Sequence, residues 1–278
     1  MLPLATTDAV GWTFYPGPLL ILVPITVAYV RRWLVVGAHP ARLISFLAGI
    51  ACAVAALFSP IDALGEQHFT MHMVQHLLLL DFAPVLCISG LTKQIFRPAT
   101  RRVIQLEKGA PWLMSPIFGL AVYTAAMWAW HVPALYDAAV RHTGVHALEH
   151  MVFTVAGGLY WWHLISPVRD QRQLSPMGAV LYMLTTKVLV GILGIALTFA
   201  PEALYDVYAG TSSWGLTPRE DQQLGGALMA LEQTIVMGVA LAWLVIRTID
   251  RSEKEQRRIE KYGDPKRPAG PGTSRELY

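Results

Sequence analysis

The sequence predicts an all-α membrane protein, a bundle of seven transmembrane helices. Of its 278 residues, 54% are hydrophobic and only 15% are charged, whereas about a quarter of the residues of a soluble domain are charged. Apolar segments long enough to cross a bilayer as helices recur along the chain, and helices are the usual way for such segments to satisfy their backbone hydrogen bonds in lipid. Composition and segment length therefore indicate the same fold class.

The apolar segments give the predicted spans in order. They cover residues 17–36, 42–58, 69–89, 112–131, 145–166, 178–200 and 225–247. We assign residues 1–250 to one membrane domain. Residues 251–278 mix basic side chains with Pro and Gly, which predicts a basic, partly disordered tail.

The distribution of Lys and Arg predicts the orientation. With the N-terminus outside, the inner loops and tail hold 19 of the 22 basic residues, the outer loops hold only Arg141 and Arg219, and Lys187 is intramembrane. Positive charge accumulates on the cytoplasmic side, so the N-terminus is predicted outside and the C-terminus in the cytoplasm. The basic tail then faces anionic lipid, and nucleic acid is not a predicted partner. The N-terminus also lacks the features of a cleavable signal peptide.

Histidines are the main functional signal. Eight of the nine lie inside or at the ends of apolar segments, and six form two runs at helical spacing: His68, His72, His76 and His142, His146, His150. Residues four apart share a helix face. Because an imidazole in hydrocarbon needs a partner, this pattern predicts a site, and metal or haem ligation is its natural chemistry.

The seventh span enters from the same side as the two histidine-bearing spans. Met229 and Glu232 would lie there at a depth similar to that of His76 and His150, and Gly225 and Gly226 would allow another helix to approach closely. Imidazole with thioether favours copper, particularly the reduced ion, and imidazole with carboxylate favours Cu(II) or zinc. The predicted copper ligands are His72, His76, His146, His150, Met229 and Glu232.

Two other intramembrane features are separate from the histidines. Asp81 and Lys187 are each about nine residues from the inner end of their span, and this matched depth predicts a buried ion pair that serves helix packing or ion relay. Cys52 and Cys87 are isolated in apolar surroundings and are predicted to be packing residues.

Three long segments resemble a known family. They are FSPIDALGEQHFTMHMVQHLLLLDFAPVL, WAWHVPALYDAAVRHTGVHALEHMVF and PREDQQLGGALMALEQ, and they are similar to the CtaG family of cytochrome c oxidase assembly factors, associated with caa-type oxidases. The resemblance implies a seven-span protein of the bacterial plasma membrane, oxidase subunits and possible soluble copper donors as partners, and a role in copper handling. The matching positions are His72, His76, His131, His146, His150, Asp221, Gln222, Gln223 and Glu232.

The leading hypothesis is therefore a copper-binding assembly factor with its histidine site on the extracytoplasmic side. One alternative is a membrane electron carrier of the cytochrome b type, in which His76 and His150 would ligate haem axially. Another is a transporter of copper or protons that uses Asp81 and Lys187. No nucleophile–base set or phosphate-binding loop is visible in the sequence, so an enzyme is not predicted.

Overall fold

A computed structural model describes residues 11–167, 174–210 and 214–262, which are helical with no strand among them. We number the helices in chain order. They are α1 (Pro16–Val36), α2 (Pro40–Phe58), α3 (Pro60–Gly65), α4 (Phe69–Leu77), α5 (Ala83–Gly90), α6 (Lys93–Gly109), α7 (Pro116–Trp130), α8 (Pro133–Arg141), α9 (Thr143–Ile165), α10 (Pro176–Thr198) and α11 (Pro218–Tyr262). A π-helical turn, Leu78–Phe82, joins α4 directly to α5.

The all-helical prediction is confirmed. Each of the seven predicted spans overlaps a helix, and span 69–89 overlaps the continuous α4–α5 rod. By length and composition, four helical segments of the described residues could cross a membrane: Pro16–Val36, Pro40–Phe58, Phe69–Gly90 and Pro176–Thr198. Helix α7 is apolar but has only 15 residues. Seven crossings and the orientation of the termini remain predictions.

Proline and serine explain where several helices begin. Helices α7 and α10 each start with Pro, whose fixed φ suits the first helical turn. The preceding Ser115 accepts a hydrogen bond from the Phe118 backbone N–H at 3.1 Å, and Ser175 accepts one from that of Gly178 at 3.0 Å. These caps satisfy amide groups that have no partner within the helix.

The π-helical turn lies where α9 crosses the α4–α5 rod. A Cβ atom at Gly157 of α9 would overlap the backbone carbonyl of Leu80. The two backbones can approach this closely only because residue 157 has no side chain. This crossing brings the histidine-bearing parts of α4 and α9 together.

Small residues also allow α11 to pack against its neighbours. A Cβ at Gly226 would lie 2.7 Å from the backbone nitrogen of Thr198 in α10, and one at Gly225 would lie 2.5 Å from the Phe69 ring in α4. The prediction that these two glycines permit close helix approach is confirmed.

Four α-helical regions of the described residues lie outside the predicted spans, the first being the short α3 in the predicted outer loop after span two. Helix α6 occupies the predicted inner loop after span three, α8 occupies the predicted outer loop after span four, and α11 continues past the predicted seventh span to Tyr262. Hydropathy finds apolar spans but not polar helices, which depend on caps such as Thr92, whose hydroxyl accepts from the Ile95 amide at 3.2 Å. Of the predicted tail, residues 263–278 lie outside the described part of the chain.

Candidate metal centre

The first histidine pair is on α4, whose start is fixed by a residue distant in sequence. Asp221 of α11 accepts hydrogen bonds from the backbone amides of Phe69 at 2.6 Å and Thr70 at 3.2 Å. A carboxylate at a helix N-terminus satisfies free amides and interacts favourably with the helix dipole. Asp221 therefore sets the position of the turn that carries His72 and His76.

Glu149 of α9 lies between these two histidines. Its carboxylate oxygens are 3.3 Å from His72 Nε2 and 3.4 Å from His76 Nε2. The side chains of His72 and Glu149 are completely buried. An anion at such a site requires a compensating positive charge, which can come from protonated histidine or from a bound cation.

His146 and His150 complete the cluster from the same helix as Glu149. Their rings are centred 4.1 Å apart, and the His146 ring is centred 5.1 Å from that of His72. Two overlapping groups result, in which the candidate ligand atoms all lie within 4.8 Å of one another: His72, His146, Glu149 and His76, Glu149, His150. Glu149 belongs to both.

Many polar atoms of this cluster form no hydrogen bond of good geometry, although the two Glu149 oxygens lie in ion-pair contact with His72 and His76. They are both ring nitrogens of His72 and of His76, Nε2 of His146 and of His150, and both carboxylate oxygens of Glu149. Buried polar atoms are normally hydrogen-bonded, so such a concentration of exceptions requires an explanation. Imidazole and carboxylate groups are suitable ligands for copper and zinc, and a cation at this position would satisfy both lone pairs and charge.

A polar layer supports the cluster from the α2–α3 side. Gln75 of α4 donates to the Asp62 carboxylate and to the Ala56 carbonyl, each at 2.7 Å. Thr13 also donates to Asp62, at 3.1 Å. These bonds fix the rotation of α4, and with it the direction of its histidine face.

Tyrosines of the two predicted outer loops cover the other side of the cluster. The Tyr208 hydroxyl donates to the Gly65 carbonyl at 2.8 Å and lies 3.0 Å from the Tyr136 hydroxyl, while Tyr205 donates to the His131 carbonyl at 3.1 Å. Burial raises the pKa of the Tyr208 phenol, so it remains a neutral hydrogen-bond donor. The loop is thereby attached to the ends of α3 and α7 beside the histidines.

His131 forms a contact of a different kind. It follows the last residue of α7, and its Nδ1 lies 2.6 Å from the Met127 carbonyl oxygen. Its Nε2 lies 3.3 Å from the sulfur of Met73 on α4. The His131 ring is centred 6.0 Å from that of His76, so this His–Met contact is adjacent to the His–Glu cluster.

Comparison with known proteins shows the family to which the chain belongs. The model of the cytochrome c oxidase caa3 assembly factor family, Caa3_CtaG, matches residues 25–251. The chain belongs to this family. The resemblance recognised in the sequence is thereby confirmed, and the matched range includes every histidine of the cluster.

Individual relatives are more distant. The chain is 25% identical over 240 residues to the uncharacterized proteins Mb0105 of Mycobacterium bovis and MT0111 of Mycobacterium tuberculosis, a match to 80% of this chain and 36% of each relative. ML1998 of Mycobacterium leprae is 23% identical over 203 residues. The chain thus spans about a third of the length of these curated relatives. No solved structure matches it.

The structure brings the predicted histidines of α4 and α9 together, and it gives Met229 and Glu232 the following contacts. Met229 is buried in the apolar core with Phe69 and Met73. Glu232 accepts a hydrogen bond from Gln233 at 3.2 Å and belongs to neither group of candidate ligands found among the described residues. Similar depth on α11 did not determine which way these side chains face.

The structure gives Asp81 partners other than Lys187, the residue predicted to pair with it. The Asp81 carboxylate instead accepts hydrogen bonds from Trp161 Nε1 at 2.8 Å and from the Tyr123 hydroxyl at 2.9 Å. Lys187 is on α10, whose principal neighbours are α11 and α7 rather than the rod that carries Asp81. Equal depth in the membrane is insufficient for contact when the helices are not neighbours.

Sequence reasoning did not select Glu149, the residue shared by both groups. A signal was present, because Glu149 is an acidic residue within a predicted span, three positions after His146 and one before His150. A carboxylate in that position is costly unless it binds a cation or a donor.

The structure places His68 outside both groups of candidate ligands. Its ring stacks on Trp214 with ring centres 4.0 Å apart.

Proposed function

We propose that the protein assists oxidase assembly by binding copper as cargo at the His–Glu cluster and passing it to a subunit of cytochrome c oxidase. One observation carries the proposal: two groups of candidate ligands, His72–His146–Glu149 and His76–Glu149–His150, share a buried carboxylate. Family membership supplies the assembly role, and the ligand chemistry supports a transition metal.

The ligand set suits transfer better than permanent storage. Each group offers three side chains, two histidines and the shared Glu149, rather than a closed four-ligand cage. A site with an open coordination position can exchange ligands with a partner protein. We propose that a soluble donor delivers copper from the outer side and that an oxidase subunit receives it by such exchange.

The proposed orientation has the cluster near the extracytoplasmic surface of the bacterial plasma membrane. The histidines lie in the N-terminal halves of the α4–α5 rod, Phe69–Gly90, and of α9. The basic residues of α6 follow the opposite end of the α4–α5 rod. Because basic residues favour the cytoplasmic side, the histidine end is assigned to the outside, in a protein with seven spans.

The geometry disfavours haem. A bis-histidine haem would have to lie between His76 and His150, but the Glu149 carboxylate occupies that region, 3.4 Å from His76 Nε2 and grouped with both rings. A carboxylate beside the axial nitrogens leaves no flat, apolar slot for a macrocycle. Metal ions need no such slot.

A second candidate function, movement of protons or cations, is favoured by one observation. A cavity of about 1010 Å³ reaches Asp81 and is also lined by Arg42, Lys93 and Thr92, which belong to the proposed inner end. Under this alternative, Asp81→Asn would abolish flux in proteoliposomes. Under the copper proposal, the same variant retains copper binding.

Metal analysis of the purified protein tests the proposal. We expect copper to co-purify or to bind stoichiometrically without a haem Soret band, and the double variant His72→Ala/His76→Ala to lose it. His142→Ala is the matched control, because His142 is exposed one helical turn from His146. Oxidase activity in cells should fall with the double variant and not with the control. Unchanged copper binding in the double variant would contradict the proposal.

A further inference from the structure

We infer that His131 and Met73 form a second, softer copper site, specific for Cu(I), beside the His–Glu cluster. This inference rests on the proposed function and extends it by naming the oxidation state and a route for the ion. It comes from one contact, in which two atoms that bear lone pairs face each other in a buried position.

The hydrogen position on His131 follows from its backbone partner. A carbonyl oxygen can only accept, so the 2.6 Å contact with Met127 requires the hydrogen on Nδ1. In the neutral ring, Nε2 then has a lone pair and no hydrogen. This lone pair lies 3.3 Å from the Met73 sulfur, which is likewise only an acceptor.

Two acceptors in contact are better satisfied when a positive species binds to both lone pairs. Both residues are buried, Met73 with 1% and His131 with 5% of its surface exposed, so water does not readily supply one. A proton on Nε2 would satisfy the contact but would create a buried imidazolium. Imidazole with thioether is instead a ligand combination that selects Cu(I) over zinc or Cu(II).

The position of the pair suits relay of an ion. The rings of His131 and His76 are centred 6.0 Å apart, and His76 also belongs to the His–Glu cluster. Nδ1 of His76 is buried without a hydrogen-bond partner. An ion could therefore move between the two sites by exchanging one ligand at a time.

The test uses the full-length protein labelled with selenomethionine and loaded anaerobically with Cu(I). X-ray absorption at the selenium edge should detect copper at bonding distance from selenium, and Met73→Leu should abolish this signal. Met183→Leu is the burial-matched control, with 2% exposure on α10. Competition with a Cu(I) chelator should show at least a tenfold weaker affinity for Met73→Leu, the order of loss typical for a metal-site residue.

Binding of Zn²⁺ separates this inference from the proposed function. We expect Met73→Leu to retain Zn²⁺ binding at the His–Glu cluster, which also shows that the variant is folded. If the wild type binds Cu(I) without a copper–selenium signal, and Met73→Leu binds it equally well, the second site is refuted and the cluster remains. If the wild type binds neither Cu(I) nor Cu(II), the proposed function fails as well.

Discussion

Replacing Glu149 with glutamine removes one negative charge and little volume from the centre of the proposed copper site. The ligand atoms of each group lie within 4.8 Å of one another. A unit charge about 4 Å from a monovalent cation contributes roughly 4 kcal/mol at the effective dielectric constant typical of protein sites. This corresponds to nearly a thousandfold in affinity.

The amide oxygen of glutamine can still coordinate, so the full electrostatic loss is an upper limit. We expect Glu149→Gln to weaken copper binding by about 100- to 1000-fold. The stability of the metal-free protein, in contrast, should not fall. The histidines can become neutral when the carboxylate is lost, so no buried charge is stranded, and thermal stability should stay the same or rise.

Two measurements on purified protein in detergent check this pair of expectations. Chelator competition gives the copper affinity, and thermal unfolding without metal gives the stability. Glu66→Gln is the control, since it removes one exposed negative charge near the same end of the bundle. A loss of copper affinity smaller than about threefold in Glu149→Gln would refute the assignment of Glu149 as a ligand.

Three further predictions concern the scaffold. Gly157→Ala should lower the free energy of unfolding by about 1–3 kcal/mol and weaken copper binding, because α9 must move away from the α4–α5 rod. Gly158→Ala, with open space around it, should do neither. Asp221→Ala should cost about 1–2 kcal/mol in unfolding free energy through loss of the α4 cap, and normal stability would show that the cap is unimportant. Tyr123→Phe should destabilise the fold by about 1–3 kcal/mol because Asp81 loses a donor, while Lys187→Leu should have almost no effect. A larger loss of stability in Lys187→Leu than in Tyr123→Phe would support the Asp81–Lys187 ion pair.

The sequence alone determined the all-helical fold class and which histidines share a helix face. Apolar segments of bilayer length allow few structures other than helices, and a spacing of four residues places His72 with His76 and His146 with His150 on one face each. The order and content of three long motifs identified the family. These features are local, so they are fixed by residues close together in the chain.

Only the tertiary structure decided which side chains meet between helices. Depth along a span can be counted from the sequence, but the facing direction of a helix and its choice of neighbours depend on packing. Gly157 packs on Leu80 of the π-helical turn, which brings α9 against the α4–α5 rod and so positions Glu149 between two histidines. The same packing pairs Asp81 with Tyr123 and Trp161 instead of Lys187. Contacts between distant segments arise from the close fit of whole helices. This fit depends on several segments together, so it cannot be deduced from any one of them.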